Sequence, residues 1–278
     1  MKHKHFHYYI FILLACCVSL SPPSVSAQQT LLLRGTGSQD AYAAINDKLA
    51  EDGNAIEVSD CSHPQFGSHI TQAFDEILKK HVFRFHIHRD HDTDRCKKFD
   101  RQRTEIKVYD KSPDWLKGVE NSKFTYKWKF RLDRNFQPSR HFTHWFQMKA
   151  VGGPYSSHPM ITFTARKRHG ERPDRFELRY GTQHDSSKLM EANLPLFLGR
   201  WLQVSVNARF GEKGALAIRI TSINTGAQLL HYENNSIKLW KDSADFLRPK
   251  WGIYRSLKHK GALRDEVVDF ADIEIQTN

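Results

Sequence analysis

Residues 123–132 read KFTYKWKFRL and alternate between polar and apolar side chains along their whole length. In an extended chain, Phe124, Trp128 and Leu132 point to one side and Lys127 points to the other. Strict alternation of this kind is typical of a β-strand that buries one face and exposes the other. The sequence therefore predicts a strand here, with its aromatic side in a hydrophobic core.

The same two-residue period continues on both sides of this segment. Further strands are predicted near residues 83–88, 103–109, 143–150, 160–167, 175–181, 201–208, 215–221, 227–232, 250–256 and 266–276. Turn clusters such as Gly152-Gly153-Pro154 separate the strands. Many short strands and few helices predict an all-β fold, a jelly roll of two antiparallel sheets, over residues 81–278.

Residues 28–80 are predicted to form a helical extension that packs on this core. Ser38 is a candidate N-cap for a helix whose apolar face includes Ala41 and Leu49. Ile70, Phe74, Ile77 and Leu78 have helical spacing, which predicts a second short helix.

The first 27 residues, 1–27, have the features of a secretory signal. Lys2 and Lys4 precede an apolar stretch, and small residues precede a cleavage site after Ala27. Lipid attachment at Cys16 and an uncleaved anchor are the alternatives. We expect a secreted or periplasmic protein, and no later apolar stretch is long enough to predict a membrane span.

The chain is basic, with 42 Lys and Arg, 31 Asp and Glu, and a formal charge of +11. Removal of the signal would take away two lysines and leave +9. Nucleic acid, anionic lipid and acidic polysaccharide are the partners that such an exported protein could bind. No nucleic-acid motif or long basic tract is present, and the cations are dispersed along strands. We therefore expect the protein to bind an anionic polysaccharide. We also expect it to be a monomer.

Cys61 and Cys96 are the two cysteines that remain after the signal. Two cysteines in an exported chain most simply form a disulfide bond.

The polar faces of four predicted strands carry unusual side chains for solvated positions. Residues at i and i+2 share one side of a strand, so each set should line one surface. The sets are His86 and His88; Arg103, Glu105 and Lys107; Trp145, Gln147 and Lys149; and Lys250, Gly252 and Tyr254. If these strands are neighbours, the sets form one common surface, which a curved sheet would make a cleft.

Three of these segments resemble motifs of the jelly-roll polysaccharide lyases, the group of alginate lyases, glucuronan lyases and heparin lyase I. Arg103-Thr104-Glu105-Ile106 resembles their R-[ST]-E segment, and Phe146-Gln147-Met148-Lys149 resembles the central strand that holds the glutamine. Residues 250–255, KWGIYR, resemble the K-x-G-x-Y segment and the G-[IV]-Y-R ending. Residues 199–206, which begin Gly-Arg-Trp, are similar as well, and the resemblance spans roughly residues 80–276.

The resemblance implies cleavage of a uronate polymer by β-elimination, with no required cofactor. Gln147 and Arg103 would neutralise the carboxylate of the sugar and stabilise the enolate that forms when the C5 proton leaves. Tyr254 would protonate the leaving oxygen and, as a tyrosinate favoured by Lys250 and Arg255, could also take the proton. One phenol can perform both steps only on glucuronate or mannuronate, where the proton and the leaving group share a face of the sugar.

One departure leaves the base open. Lys149 stands where the alginate lyases have a histidine, so another residue must accept the C5 proton. We rank His88 first, then His144 and then His86. A regular strand would place His144 on the opposite face from Gln147. The resemblance further implies that Glu105, Lys107, Lys149, Lys250 and Arg255, with His86 and His144, contact the substrate.

Two features raise the question of a metal. Asp90, Asp92 and Asp94 resemble the start of a calcium loop but lack its glycine and distal glutamate, so an exposed acidic loop is favoured and a structural calcium ion is the alternative. His86 and His88 could ligate zinc, but the sequence shows no convincing third ligand. Asn234-Asn235-Ser236 is a glycosylation sequon only in a host that glycosylates.

Two other functions remain open at this point. A non-catalytic carbohydrate-binding protein could use the same basic surface without a proton-transfer pair. A glycoside hydrolase would need two carboxylates on either side of one bond, for which Glu105 and Glu177 are the candidates.

Overall fold

The computed structural model describes Met1, His3 and residues 28–278, so the rest of the predicted signal lies outside the described residues. The described residues form one α-helix, α1 (Ala41–Leu49), and short 3₁₀ helices at Asp114–Leu116, Leu194–Phe197 and Lys260–Ala262. The strands, in chain order, are β1 (Thr30–Leu33), β2 (Ile56–Glu57), β3 (Ile70–Asp75), β4 (Lys80–Ile87), β5 (Arg101–Lys107), β6 (Lys123–Leu132), β7 (Thr143–Val151), β8 (Ile161–Arg166), β9 (Arg175–Gly181), β10 (Ser186–Asn193), β11 (Leu202–Arg209), β12 (Gly211–Ser222), β13 (Gln228–Leu239), β14 (Phe246–Ser256) and β15 (Glu266–Thr277). No helix of the described residues has the length and apolar character needed to cross a bilayer.

The strands pair in two antiparallel sheets. One sheet has the order β13-β12-β11-β6-β15-β4-β3, with β1 paired to the far end of β15. The other has the order β10-β9-β8-β7-β14-β5-β2. Strands that are distant in sequence, such as β5 and β14, therefore lie side by side. The predicted jelly roll of two antiparallel sheets is confirmed.

The core lies between the two sheets and is rich in aromatic side chains. Phe124 and Leu132 of β6 are buried as the alternation predicts, and Trp128 stacks on Phe146 of the other sheet with ring centroids 4.5 Å apart. Trp145 and Trp201 are fully buried too. Both tryptophans therefore belong to the interior, and the placement of Trp145 on the polar face was wrong.

The segment before residue 81 is more strand than helix. Only α1 forms, and Asp40 rather than Ser38 caps it by accepting hydrogen bonds from the amides of residues 42 and 43. The predicted second helix is wrong, because residues 70–75 form β3, which pairs with β4. Its apolar residues do not share one buried helical face: Ile70 is buried, whereas Phe74 is about half exposed. The strands β1, β2 and β3 build this segment into both sheets.

The predicted disulfide bond joins Cys61 and Cys96, whose Cα atoms lie 6.2 Å apart. It links the loop after β2 to the loop after β4. These two loops meet beside the end of β5, where Ser59 donates a hydrogen bond to the carbonyl of Arg103.

Gly252 has a conformation that the strand β14 needs and other residues rarely adopt. Its φ is +142°, and a Cβ at this position would lie 2.1 Å from the carbonyl oxygen of Thr104 and 2.6 Å from the Cα of Glu105. The backbone of β5 thus occupies the space that any side chain would need.

We expect Gly252→Ala to lower the free energy of unfolding by about 3 kcal/mol, because it adds both backbone strain and a clash with a neighbouring strand. Urea unfolding monitored by fluorescence measures this change. Gly261→Ala is the matched control, since a Cβ there meets nothing within 4 Å, and it should change stability by less than about 0.5 kcal/mol. Equal stability of the two variants would contradict this explanation of the glycine.

Candidate active site

The outer face of the seven-stranded sheet, turned away from the core, is lined by polar and mostly cationic side chains. We call it the basic face. Its residues are Arg101, Arg103, Glu105 and Lys107 of β5, Lys250 and Tyr254 of β14, His144, Gln147 and Lys149 of β7, Thr162, Thr164 and Arg166 of β8, and Arg175, Glu177 and Arg179 of β9.

Glu105 is the centre of a buried ion network on this face. Its carboxylate accepts hydrogen bonds from Arg103 and Gln147, and the amine of Lys250 lies 2.6 Å from it and 2.6 Å from Glu57. Arg103 also donates to Asp94 at 2.8 Å. Across the described residues the network joins three carboxylates to four cations. The carboxylates are Glu57, Asp94 and Glu105, and the cations are Arg95, Arg103, Lys107 and Lys250.

The network keeps its carboxylates ionised although they are buried. Burial alone would raise the pKa of Glu105, but attraction to Lys250 and Arg103 outweighs it, and the pKa is lowered. The pKa of Glu57 is lowered by the same balance between burial and its cations. Four cations against three carboxylates leave this part of the face with a net positive charge.

Tyr254 lies directly on this network. The guanidinium carbon of Arg103 is 3.7 Å from the centroid of the Tyr254 ring, and Arg101 donates a hydrogen bond of 3.0 Å to its hydroxyl. Burial raises the pKa of Tyr254, and the two arginines oppose only part of that effect. The raised pKa favours the neutral phenol, contrary to the expectation that nearby cations favour a tyrosinate.

His144 lies beside Tyr254, on the same face as Gln147, contrary to our expectation. Its ring centroid is 6.0 Å from that of Tyr254, its partner across the strands. A β-bulge in β7 explains the difference: Phe146 pairs with Phe163 and His144 with Thr164, so two steps along β7 match one along β8. The pairing with β14 is shifted by one residue at the same place. The alternation of β7 is thereby broken, and Trp145 and its neighbour Phe146 both enter the core.

The protonation state of His144 is set by its surroundings. Burial lowers its pKa to about 3, so the imidazole is neutral at neutral pH. Its Nδ1 lies 2.7 Å from the hydroxyl of Thr164, which leaves Nε2 for a ligand. A cavity of about 190 Å³ adjoins His144 and is also lined by Phe142, Thr162 and Arg179.

His86 and His88 lie elsewhere. His86 lies on the polar side of β4, which is the outer face of the other sheet, and His88 follows directly after the strand with its ring stacked on that of His86. His86 Nε2 lies 2.9 Å from the hydroxyl of Thr71, and His88 Nδ1 lies 3.2 Å from Asp92. Neither contacts Tyr254 or the Glu105 network within the part of the chain that the structure describes. Their predicted place on a common surface with the other sets was wrong.

Two further predicted positions differ from the structure. Arg255 lies on the other side of β14, where it is buried and donates hydrogen bonds to Gln102 and to the carbonyl of Arg264. The aspartates of the acidic loop have separate partners: Asp90 binds Arg89, Asp92 binds histidines, and Asp94 binds Arg103. Asp90 is half exposed, as predicted for an exposed loop, whereas Asp92 and Asp94 are buried. The three carboxylates therefore bind different partners and do not converge on one position.

The remaining predicted residues do lie on the basic face. Lys107 pairs with Glu57 at 2.8 Å. Lys149 forms no ion pair with any described carboxylate, and burial beside Lys250 and Arg103 lowers its pKa to about 8. Sequence reasoning did not identify Arg101 or Glu57. The alternation of β5 could have found Arg101, because it lies two residues before Arg103, whereas Glu57 lies on a two-residue strand that carries no periodic signal.

Comparisons with known proteins bear on the fold of the chain. No family model and no curated protein sequence matches the chain. Solved structures do match it. The endo-β-1,4-glucuronan lyase from the fungus Trichoderma reesei superposes with a TM-score of 0.56 at 13% identity, over 89% of this chain and 95% of that one. The chain therefore shares its fold with jelly-roll polysaccharide lyases.

Two alginate lyases give the same result as the glucuronan lyase. Aly36B has a TM-score of 0.57 at 9% identity, over 88% of this chain and 96% of that one. The enzyme from Klebsiella pneumoniae has a TM-score of 0.56 at 11% identity, over 76% and 85% of the two chains. The resemblance that the sequence motifs indicated is confirmed for the fold of the whole sandwich.

We expect Glu105→Gln in this lyase-like fold to lower the free energy of unfolding by about 3 kcal/mol or more at neutral pH, because it leaves the buried cations with one partner fewer. The wild type should also lose stability as the pH falls below the ordinary glutamate value of 4.5, since its carboxylates have lowered pKa values in the folded state. The Glu105→Gln variant should lose less stability over this pH range, because it lacks one of the carboxylates whose pKa is lowered by folding. Urea unfolding at several pH values measures both effects.

Glu76→Gln is the control for this prediction. Glu76 is an exposed carboxylate paired only with the exposed Lys79, so its loss should change stability by less than about 1 kcal/mol. A Glu105→Gln protein as stable as this control would show that the network does not depend on the central charge.

Proposed function

We propose that this protein is an exported polysaccharide lyase that cleaves a uronate-containing polysaccharide by β-elimination. The observation that carries the proposal is the convergence of a phenol, an imidazole, a guanidinium and an amide on one cationic surface: Tyr254, His144, Arg103 and Gln147. The lyase fold and the motif resemblance support it. A structure of Aly36B with an alginate trisaccharide, and a lyase complex with its substrate, show that proteins of this fold bind acidic sugars.

Carboxylate neutralisation is the first requirement of this reaction, because the C5 proton is otherwise far too weakly acidic. Arg103 has five N–H donors and uses three of them on Asp94 and Glu105. Its Nη1 also faces Glu57 at 3.5 Å, which leaves the second Nη2–H for a substrate. Gln147 uses one of its two amide donors on Glu105. Lys149 offers an amine without a carboxylate partner among the described residues. These three side chains can therefore donate to the enolate without breaking the hydrogen bonds of the Glu105 network.

Proton transfer is the second requirement. His144 Nε2 would take the C5 proton if Nδ1–H donates to Thr164, and the electron pair would move into the bond between C5 and the carboxylate. The C4–O4 bond then breaks, Tyr254 gives its phenolic proton to O4, and a C4=C5 double bond remains. The raised pKa of Tyr254 keeps its phenol protonated, and the lowered pKa of His144 keeps its imidazole neutral. A proton donor and a proton acceptor require these two states.

The placement of the two groups favours a substrate class. His144 and Tyr254 are neighbours on one surface, so they reach a sugar from the same side. In glucuronate and mannuronate the C5 proton and O4 share a face, whereas guluronate and iduronate would need groups on both faces. We therefore infer glucuronan or mannuronate-rich alginate as the substrate.

Hydrolysis by Glu105 and Glu177 is disfavoured by distance. These residues lie on β5 and β9, which are separated by three strands, or about 19 Å at the usual strand spacing. Paired carboxylates in glycosidases lie about 5 to 9.5 Å apart. Glu177 is in addition enclosed by Arg166, Arg175 and Arg179.

Tyr254→Phe should lower kcat by about 100-fold or more, because the leaving oxygen loses its proton donor. The measurement is the ultraviolet absorbance of the unsaturated uronate end on a panel of glucuronan, alginates and glycosaminoglycans. Tyr180→Phe is the control: its hydroxyl donates only to the carbonyl of Lys238, and activity should stay near the wild-type value. Wild-type binding without an unsaturated product on any polymer would instead support a binding protein.

His144→Gln should also lower kcat by about 100-fold, with a smaller change in KM, because it removes the base and keeps a polar side chain of similar size. His231→Gln, on the distant strand β13, should retain activity. Full activity of His144→Gln would overturn its role as base while leaving that of Tyr254 intact.

A further inference from the structure

A second cluster of titratable side chains lies outside the basic face, where the loop after β2, the start of β3 and the end of β4 meet. It consists of His63, His69, His88 and Asp92. Each offers one ligand atom, and these atoms all lie within 4.8 Å of one another. His69 and Asp92 are fully buried at their side chains, and His63 and His88 are 15% exposed.

We propose that these four side chains form a structural zinc site. Ligands about 2.0 to 2.1 Å from a tetrahedral zinc ion lie about 3.3 Å from one another. His63 Nδ1 is 3.3 Å from His88 Nδ1 and 3.4 Å from Asp92 Oδ1, and His69 Nε2 is 2.9 Å from the same oxygen. These three separations are close to those of a tetrahedral site, and the remaining ligand atoms lie within 4.8 Å of one another, so a small movement of the side chains would complete the tetrahedron.

Hydrogen bonding alone accounts poorly for this arrangement. Two imidazole nitrogens, those of His63 and His88, face each other, and each also faces the carboxylate of Asp92. A single proton can satisfy only one of these contacts at a time. A divalent cation at the centre would satisfy all four groups at once, as buried polar groups require.

The surroundings of His69 have the form expected of a metal ligand. Its Nδ1 lies 2.7 Å from Asp60, whose carboxylate in turn accepts a hydrogen bond of 2.8 Å from the Tyr42 hydroxyl. This contact keeps a hydrogen on Nδ1, so loss of the Nε2 proton, which otherwise bonds Asp92, would leave the Nε2 lone pair directed at a metal in the cluster. In zinc sites a ligating histidine commonly donates its other ring N–H to a carboxylate in this way.

The donor set selects the metal and its role. Three nitrogens and one carboxylate oxygen suit zinc, whereas calcium prefers six or more oxygens. Four protein ligands close the tetrahedron and leave no position for a substrate, which indicates a structural ion. The Cys61–Cys96 disulfide joins the same two loops. Metal and disulfide together would hold Asp94, two residues after Asp92, against Arg103 of the basic face.

The test measures zinc in the full chain, produced without a polyhistidine tag, by mass spectrometry of the metal after incubation with zinc chloride and removal of excess. We expect one zinc ion per chain, and we expect its removal with a chelator to lower Tm by several degrees, reversibly. X-ray absorption should show nitrogen and oxygen neighbours at about 2.0 Å and no sulfur.

The variants separate this site from surface binding. His63→Gln, in the half-exposed loop, should lose stoichiometric zinc, and Asp60→Asn should weaken zinc binding about 10- to 100-fold. His91→Gln is the matched control: its ring stacks on His63 at 4.4 Å but offers no atom to the four, and it should bind zinc as the wild type does.

Two results would overturn the proposal. One is a folded wild type that takes up no zinc, which would mean that a protonated His69 bridges Asp60 and Asp92 instead. The other is zinc bound equally well by His63→Gln, Asp60→Asn and the wild type. Because catalysis is not part of these measurements, the outcome is independent of the proposed lyase activity.

Discussion

The buried carboxylate of Glu105 is the constraint on which the basic face depends. An ionised carboxylate with no exposure to water must be surrounded by donors and cations. Arg103, Lys250 and Gln147 provide them, and they come from three adjacent strands, β5, β14 and β7. The requirement to satisfy one charge therefore fixes the positions of three side chains.

The value of this network lies in position rather than in net stability. Buried ion pairs often contribute little compared with apolar side chains of the same volume, because desolvation offsets the attraction between the charges. Here the network holds the guanidinium carbon of Arg103 3.7 Å from the centroid of the Tyr254 ring, and Arg101 donates a hydrogen bond to the hydroxyl. For the elimination that we propose, a phenol and the donors for a carboxylate would thus be in place before the substrate binds, which is the preorganisation that such catalysis uses.

Much of this organisation was predictable from the sequence, because strand periodicity is a local property. The alternation around Trp128 gave the correct strands and core face, and the spacing of Lys250 and Tyr254 gave their common surface. The bulge that brings His144 beside Tyr254 was not predictable, since it arises from unequal numbers of residues in two paired strands. His86 and His88 show a second limit. The alternation of β4 was predicted correctly, but the sequence of one strand does not show to which sheet that strand belongs.

The short pieces near the N-terminus were missed for a related reason. Glu57 lies on a strand of two residues, and the spacing of Ile70 and Phe74 fits a helix as well as a strand. His63 and His69 lie in or beside a loop, where no period applies, and they meet His88 only because β3 pairs with β4. Tertiary pairing decided these positions, and single segments of sequence do not contain it.

The proposed function requires that the basic face cleave a uronate polymer by elimination rather than by hydrolysis. Mass spectrometry of the products from glucuronan or mannuronate-rich alginate tests it most directly, because each cut by elimination adds no water and leaves one end unsaturated. Elimination would leave every new non-reducing end one water molecule lighter than a saturated sugar. Products with saturated ends, which have gained one water at each cut, would contradict it.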